Sequence, residues 1–530
     1  MEYKFGGSLT NQKTVLGHPS GLFVLFFTEM WERFSYYGMR ALLVLFLVAS
    51  VFDEGWGWDR ADALTLYAFY TGLVYVTPIF GGLIADKITG YRKAVVIGAL
   101  LMTLGHASMA LEGLTGTFFY LGLVLLIIGN GMFKPNISSM VGKLYKTEDK
   151  EKDAGYTIFY MGINAGAFLG ILLCGYIGES VGWHYGFGLA GIFMFVGMLQ
   201  FYFAQDIFGK IGLSPKGAED FDDAMEDALE ETEDAIEDTI EEAKSSKVVS
   251  DRLIVIGVLA FFTIFFWWAF EQAGGSMTIF AADYTDRVLE GDGALMFKIF
   301  NTLLTVIPMI IITWVLGMLF KQTYSKYALS NILLGLSFVV IWAIVIWMLY
   351  RQFTDPAPEV PASWFGILNS FFIIAFAPIF SKIWESKMNP SGPVKFAIGL
   401  ILLGIGFGIL AFGSMGIPLG AKTASVSMIF LILAYLFHTL GELCVSPPVG
   451  LSYVSKLSPG KLVGLMFGIW FVANFIANTA AGLTGRYIDP IVEDYGMATF
   501  FMIFTIIPIV AGFIMLAISK LLVKMMHGIR

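Results

Sequence analysis

Charge is scarce in this chain. Of its 530 residues 14% are charged and 57% are apolar or aromatic, against roughly 25% and 45–50% in soluble domains. That balance argues against a soluble monomer. Cysteine is scarcer still: Cys174 and Cys444 both lie inside apolar runs and offer neither a disulfide framework nor a metal motif. The apolar runs also lack the HExxH pattern and paired aspartates, so no enzyme chemistry is indicated. Nor is a cleavable leader evident, since Glu29, Glu32 and Arg33 interrupt the first apolar run, which continues to about Ser50.

Long uncharged runs fill the rest. Ala328 to Tyr350 is one, and several runs reach the roughly 20 residues needed to cross a bilayer as a helix. A transmembrane barrel would show short alternating segments instead. Spans are expected near 21–50, 62–85, 94–111, 118–142, 155–178, 184–206, 252–281, 294–320, 328–350, 362–383, 393–413, 425–449, 461–485 and 496–522. Fourteen helices place both termini on one side. With that side cytoplasmic, Lys87, Arg92, Lys93, Lys143, Lys146, Lys150, Lys152, Lys321, Lys326, Lys382, Lys387, Lys395, Lys456 and Lys461 fall inside. Only Arg60, Arg287, Arg351, Lys422 and Arg486 fall outside, as the positive-inside rule requires.

The net charge of −9 is concentrated in one place. Glu219 to Glu242 holds 14 carboxylates and no base. Its apolar residues Phe221, Met225, Leu229, Ile236 and Ile240 recur at helical spacing, so it reads as a solvated amphipathic helix between the sixth and seventh spans.

Charges inside spans are costly, about 2.5–3.5 kcal/mol at the bilayer centre on insertion scales, and mark functional sites. In the first span Glu29, Arg33, Tyr36, Tyr37 and Arg40 recur at three- and four-residue steps and form one stripe, with Glu32 on its border. Lys134 stands alone in the fourth span, Glu271 in the seventh and Glu442 in the twelfth. Each needs a partner from another helix, which suggests ion pairs that form and break. Asn164, Asn369, Tyr75, Trp267 and Trp470 add polar and aromatic groups. His106 and His438 are also intramembrane; His438 lies one turn before Glu442, but a core histidine is the simpler reading.

At these residues the sequence resembles the proton-dependent oligopeptide transporters of the major facilitator superfamily. Six motifs carry the likeness in order: ExxERFSYYG, GGLIADKITGYRK, FKPNIS, FYMGINAG, FEQAGGS and GELCVSPPVGLSYVSKLSP. The resemblance implies an all-α polytopic membrane protein with the major facilitator fold, two six-helix bundles plus an inserted hairpin. It implies a symporter that imports di- and tripeptides with protons by alternating access, with the proton as coupling ion and no other cofactor. Glu29, Glu32, Arg33 and Glu271 would couple protons. Arg40 with Glu271, and Lys134 with Glu442, would form salt-bridge gates. The peptide carboxylate would lie towards Arg40, Lys134 and Tyr37, and its amino group towards Asn164, Asn369 and Glu442. Tyr75, Trp267, Ser446 and Trp470 would line side-chain pockets.

One departure from the family pattern stands out. About 70 residues, Val288 to Val360, separate the seventh span from a PASWF-like start of the next core helix, whereas many bacterial relatives place their extra pair between the bundles. The organisation expected is therefore an N-terminal bundle at 1–207, the acidic linker at 208–251, and the first helix of the second bundle at 252–287. An inserted hairpin at 288–360 and the remainder at 361–530 follow. Within the hairpin Lys298, Asn301 and Pro308 are notable, but a lipid-facing or bundle-packing pair is favoured over a second site. A monomer in the cell (inner) membrane is expected, with both termini cytoplasmic, in contact with lipid and without nucleic-acid partners. The competing readings are a facilitator of nitrate, drugs, peptidomimetics or another small solute, and a membrane sensor. An anion carrier has no use for Glu442.

Overall fold

The computed structural model describes residues 4–146, 151–215, 234, 236, 246–446, 450–458 and 463–529. The expected acidic helix at 219–242 lies outside the described residues, Asp234 and Ile236 apart.

Fourteen long helices are found among the described residues: α1 (Ser20–Val48), α2 (Arg60–Ile84), α3 (Gly90–Ala110), α4 (Gly116–Lys143), α5 (Glu151–Ser180), α6 (Trp183–Ala204), α7 (Lys247–Phe270), α8 (Gly291–Thr323), α9 (Ala328–Thr354), α10 (Ile367–Glu385), α11 (Gly392–Gly413), α12 (Ile429–Val445), α13 (Val463–Gly485) and α14 (Met497–Met525). Eleven stretches are long and apolar enough to cross a membrane, one of them holding both α2 and α3. The 14 are completed by α1, which carries Glu29, Glu32, Arg33 and Arg40, and by α12, which is 17 residues long. The protein is a multi-pass membrane protein. Strand is confined to two-residue pairs, β1 (Thr14–Val15) antiparallel to β2 (His18–Pro19), and β3 (Thr285–Asp286) parallel to β4 (Val426–Ser427).

The seventh span departs from the expected continuous run at 252–281. Helix α7 stops at Phe270, a 3₁₀ turn covers Glu271–Gly274, and a short helix resumes at Ser276–Ile279. The paired glycines Gly274 and Gly275 weaken the helix there. Local backbone bonds persist through the break, Gly275 N–H to the Gln272 carbonyl among them, and the Gln272 side chain ties it to its surroundings: its Nε2 donates to the Ala481 carbonyl at 2.8 Å and its Oε1 accepts from Ser276 Oγ at 2.6 Å. Irregular backbone at membrane depth is tolerated where protein partners satisfy it.

The chain divides into two compact units, the first comprising Met1–Leu42, Thr77–Ala224 and Arg287–Trp364, the second Leu43–Val76, Met225–Asp286 and Phe365–Arg530. In the first unit α3 packs on α4 and α6, and α5 packs on α6. Helices α1 and α5 approach through FYMGINAG: a Cβ at Gly166 would collide with the Met30 carbonyl oxygen, and one at Gly170 with that of Phe34. Small residues at four-residue spacing are how membrane helices bring backbones together when lipid offers no hydrophobic drive. Trp31 stacks on Phe193 at 4.8 Å in the centre of this unit.

The hairpin α8–α9 is inserted between α7 and α10, two helices of the second unit, yet it belongs to the first. Helix α9 packs on α6 and α5, with Phe338 against Phe27 and Trp31 and with Ser330 Oγ donating to the Gln200 carbonyl at 2.8 Å. Asn301 stays inside the hairpin, its Nδ2 on Gln352 Oε1 at 2.7 Å. At the hairpin's base Glu179, at the end of α5, accepts from the backbone N–H groups of Ala362 and Ser363.

In the second unit α11 is central, packed on α12, α14 and α7, while α13 packs on α7 and α10 on α12. Phe407, Phe504 and Trp268 form its aromatic core, and the His438 ring lies 4.4 Å from Phe407.

Candidate functional site

In the first unit the buried charges gather on α1. Glu29 and Arg33 are one turn apart, and Arg33 Nε lies 3.1 Å from Glu29 Oε1 while also bonding Glu32 Oε2. All three side chains are at least 95% buried. The second oxygen of Glu32 is taken as well: Asn130 Nδ2, from α4, donates to Glu32 Oε1 at 2.9 Å. Glu29 differs, because its Oε2 is buried with no hydrogen-bond partner among the described residues. The Arg33 guanidinium also lies over the Tyr36 ring at 5.3 Å, and Tyr36 meets Tyr37 edge-on at 5.1 Å. The structure thus brings Glu29, Glu32 and Arg33 into one network.

Other expected residues of this unit stand around that network. Arg40 and Tyr37 are half-buried further along α1, and Lys134 is half-buried one turn beyond Asn130 on α4. Asn164 is buried on α5, its Nδ2 bonded to the Tyr160 carbonyl at 3.0 Å within its own helix.

In the second unit Glu442 is held by a neighbouring helix. Asn369 Nδ2, on α10, donates to Glu442 Oε2 at 2.7 Å and lies 3.2 Å from Thr439 Oγ1. Thr439 is three residues before Glu442, and both belong to α12. Beside Glu442, Gly441 lets α12 lie close on α11, since a Cβ there would press on the Gly399 carbonyl. Helix α12 ends at once: Ser446 is extended, and its N–H still bonds the Glu442 carbonyl at 2.7 Å. The residue before a proline avoids helical backbone, and Pro447 follows. Glu271 is buried at the break after α7. Trp470 is buried on α13, and Trp267 and Tyr75 are half-buried on α7 and α2.

Several residues at these sites escaped the sequence reading. Asn130 sits one turn from Lys134 on the same face of α4, a spacing that could have flagged it. Thr439 is a neutral residue in an apolar run, and its partner Asn369 is 70 positions away on another helix. Arg60, expected only as an outside loop charge, is the centre of a third group: it bonds Asp283 Oδ2 at 2.6 Å and Asp489 Oδ1 at 2.7 Å, and donates to Tyr284 Oη at 3.1 Å. Its carboxylates come from positions more than 200 residues away, which one sequence cannot pair.

Known proteins resemble this chain along most of its length. Residues 92–221 and 335–500 match the POT family. The chain is 33% identical to "Peptide transporter YePEPT" of Yersinia enterocolitica, over 90% of this chain and 89% of that one. It is 32% identical to "Di-/tripeptide transporter" of Lactococcus lactis subsp. cremoris, over 98% and 99%. Among solved structures, a mutant of "peptide transporter POT" in complex with alafosfalin superposes with a TM-score of 0.76 at 30% identity, covering 98% of each chain. The fold is the helical fold of the major facilitators, and the chain belongs to the POT family.

Proposed function

We propose that this protein is a symporter that imports di- and tripeptides together with protons by alternating access. The observation that carries the reading is that charged side chains with the chemistry of a peptide's two ends stand inside the spans. The bases Arg33, Arg40 and Lys134 lie in the first unit, where Arg33 is already paired with Glu29 and Glu32, and the carboxylates Glu271 and Glu442 lie in the second. A zwitterionic peptide presents one group to each pole. Its carboxylate is assigned to Arg40, Lys134 and Tyr37, and its amino group to Glu442 with Asn369. Asn164, Tyr75, Trp267, Ser446 and Trp470 are assigned to orienting it and to accommodating variable side chains. The relatives named for peptide and di-/tripeptide transport support this choice of substrate.

Proton coupling follows from the same pairs. Protonating a carboxylate releases its basic partner, so proton and peptide change each other's affinity through a shared ion pair. The salt bridges assigned to gating, Arg40 with Glu271 and Lys134 with Glu442, are where that exchange is read out as movement. Each proton moving inward down 100 mV contributes about 2.3 kcal/mol, enough for more than tenfold accumulation. The proton is the coupling ion, and the reading requires neither a cofactor nor a chemical step. The excess of Lys and Arg in alternate loops supports an orientation with both termini in the cytoplasm, and the protein is assigned to the inner membrane as a monomer.

Specificity is tested with purified protein in liposomes. Uptake of a labelled dipeptide should be competed by di- and tripeptides and not by free amino acids or nitrate. Competition by nitrate, or by drugs but not peptides, would assign the protein to another solute.

A further inference from the structure

Helix α12 shows a different set of side chains to each neighbouring helix. His438 and Gly441 face α11, where a Cβ on Gly406 would strike the His438 ring and one on Gly441 the Gly399 carbonyl. Thr439 and Glu442 face α10 and together hold the Asn369 amide, whose Nδ2 donates to Glu442 Oε2 at 2.7 Å and to Thr439 Oγ1 at 3.2 Å. The Thr439 side chain is fully buried, and its hydroxyl spends its single proton on the Tyr435 carbonyl at 2.7 Å. Towards Asn369 it can therefore only accept. Both amide protons are drawn to α12, and the amide oxygen Oδ1 is turned away from it. That oxygen and Glu442 Oε1 take no hydrogen bond among the described residues, and their side chains are half-buried rather than enclosed. We propose that Thr439 is a positioning residue that fixes the Asn369 amide so that Oδ1 stands ready, beside Glu442 Oε1, as a second acceptor for a ligand's primary ammonium group.

Two contacts are needed because the last torsion of an asparagine side chain is broad. The bond to Glu442 decides which end of the amide meets α12 but leaves its plane free to turn. The bond to Thr439, three residues away on the same helix face, fixes that plane. An ammonium group has three N–H donors, and hydrogen bonds from a charged donor are roughly twice as strong as neutral ones. An acceptor already in place adds such a bond without a further ordering cost at the moment of binding. The site then selects a free amino terminus by its hydrogens as well as by its charge. An amino group carrying two methyls keeps the charge, has one N–H left for Glu442, and gains nothing from Oδ1.

The inference rests on the assignment of the peptide amino group to Glu442 with Asn369, and equilibrium binding separates the two. Calorimetry on the purified protein gives affinities for a dipeptide and for its N,N-dimethyl counterpart. The variants are Thr439→Val, Thr439→Ala, Thr439→Ser, Asn369→Leu and Asn369→Leu with Thr439→Val. Thr439→Val removes the hydroxyl at nearly constant shape and should weaken the free-amino dipeptide roughly tenfold, the order of a lost hydrogen bond to a charged group. The dimethylated peptide should change little. Thr439→Ala, which removes the hydroxyl by truncation, should repeat this pattern, and Thr439→Ser should bind both peptides as the wild type does. Once Asn369 is leucine, Thr439→Val should have no further effect, because two residues acting through one contact are not additive.

Equal loss for both peptides, or an effect of Thr439→Val that survives Asn369→Leu, would show a merely structural role and overturn the proposal. Unchanged affinity in both Thr439→Val and Thr439→Ala would overturn it as well. Wild-type protein that binds no dipeptide, or Glu442→Gln protein that binds it as tightly as the wild type, defeats instead the assignment on which the proposal rests.

Discussion

At the scale of single residues the account depends most on Glu442. Glu442→Gln keeps an oxygen for the Asn369 amide at the 2.7 Å contact but removes the charge offered to a peptide's amino group. We expect gradient-driven uptake to fall by about 10- to 100-fold, the equivalent of roughly 1.5–3 kcal/mol for a hydrogen bond to a charged group, while the purified protein stays monodisperse. Normal uptake in that variant would remove Glu442 from the amino-group site. Residues of this kind were legible because charge in a span is expensive. The i, i+4 pairing of Glu29 with Arg33 could likewise be read from spacing on a single helix. Thr439 could not, because a neutral side chain in an apolar run raises no alarm until the neighbouring helix is in place, and Asn130 has only its one-turn spacing from Lys134 to mark it.

At the scale of helices, packing follows the glycines. Gly166→Ala forces a methyl group onto the Met30 carbonyl and into Arg33 Cβ. Overpacking of a close contact costs about 1–3 kcal/mol, so the midpoint of thermal unfolding should drop in detergent. Gly257→Ala is the control: on α7 a Cβ there meets nothing within 4 Å, and loss of a helical glycine should leave the midpoint equal or higher. Equal midpoints for the two variants would refute the close approach of α1 and α5. The helices themselves were legible from hydropathy, since lipid leaves a spanning backbone little choice but to be helical. Helix α5 nonetheless runs from Glu151 rather than about 155. The break at Glu271 was not legible, because FEQAGGS has the apolar flanks of a continuous span and the bond that stabilises the break comes from Ala481, 209 residues on.

At the scale of the whole molecule, the position of the hairpin is the feature that one sequence could not supply. Inserted between two helices of the second unit, it rests on α5 and α6 of the first, and the contacts between positions 200 and 330 have no local signature. If the hairpin travels with the first unit, tying it there should not stop transport. Ser330→Cys with Gln200→Cys, joined by a short bifunctional reagent, should retain wild-type-like uptake. Uptake lost on cross-linking and regained on cleavage of the linker would show that the hairpin moves against α6. The central claim, that proton flow drives peptide accumulation, is tested most directly in liposomes at a fixed external peptide concentration. An inward proton gradient should concentrate labelled dipeptide more than tenfold inside, and an ionophore that collapses the gradient should return it to the external level. Accumulation that ignores the gradient, or uptake that stops at equal concentrations while the gradient is intact, would contradict the account.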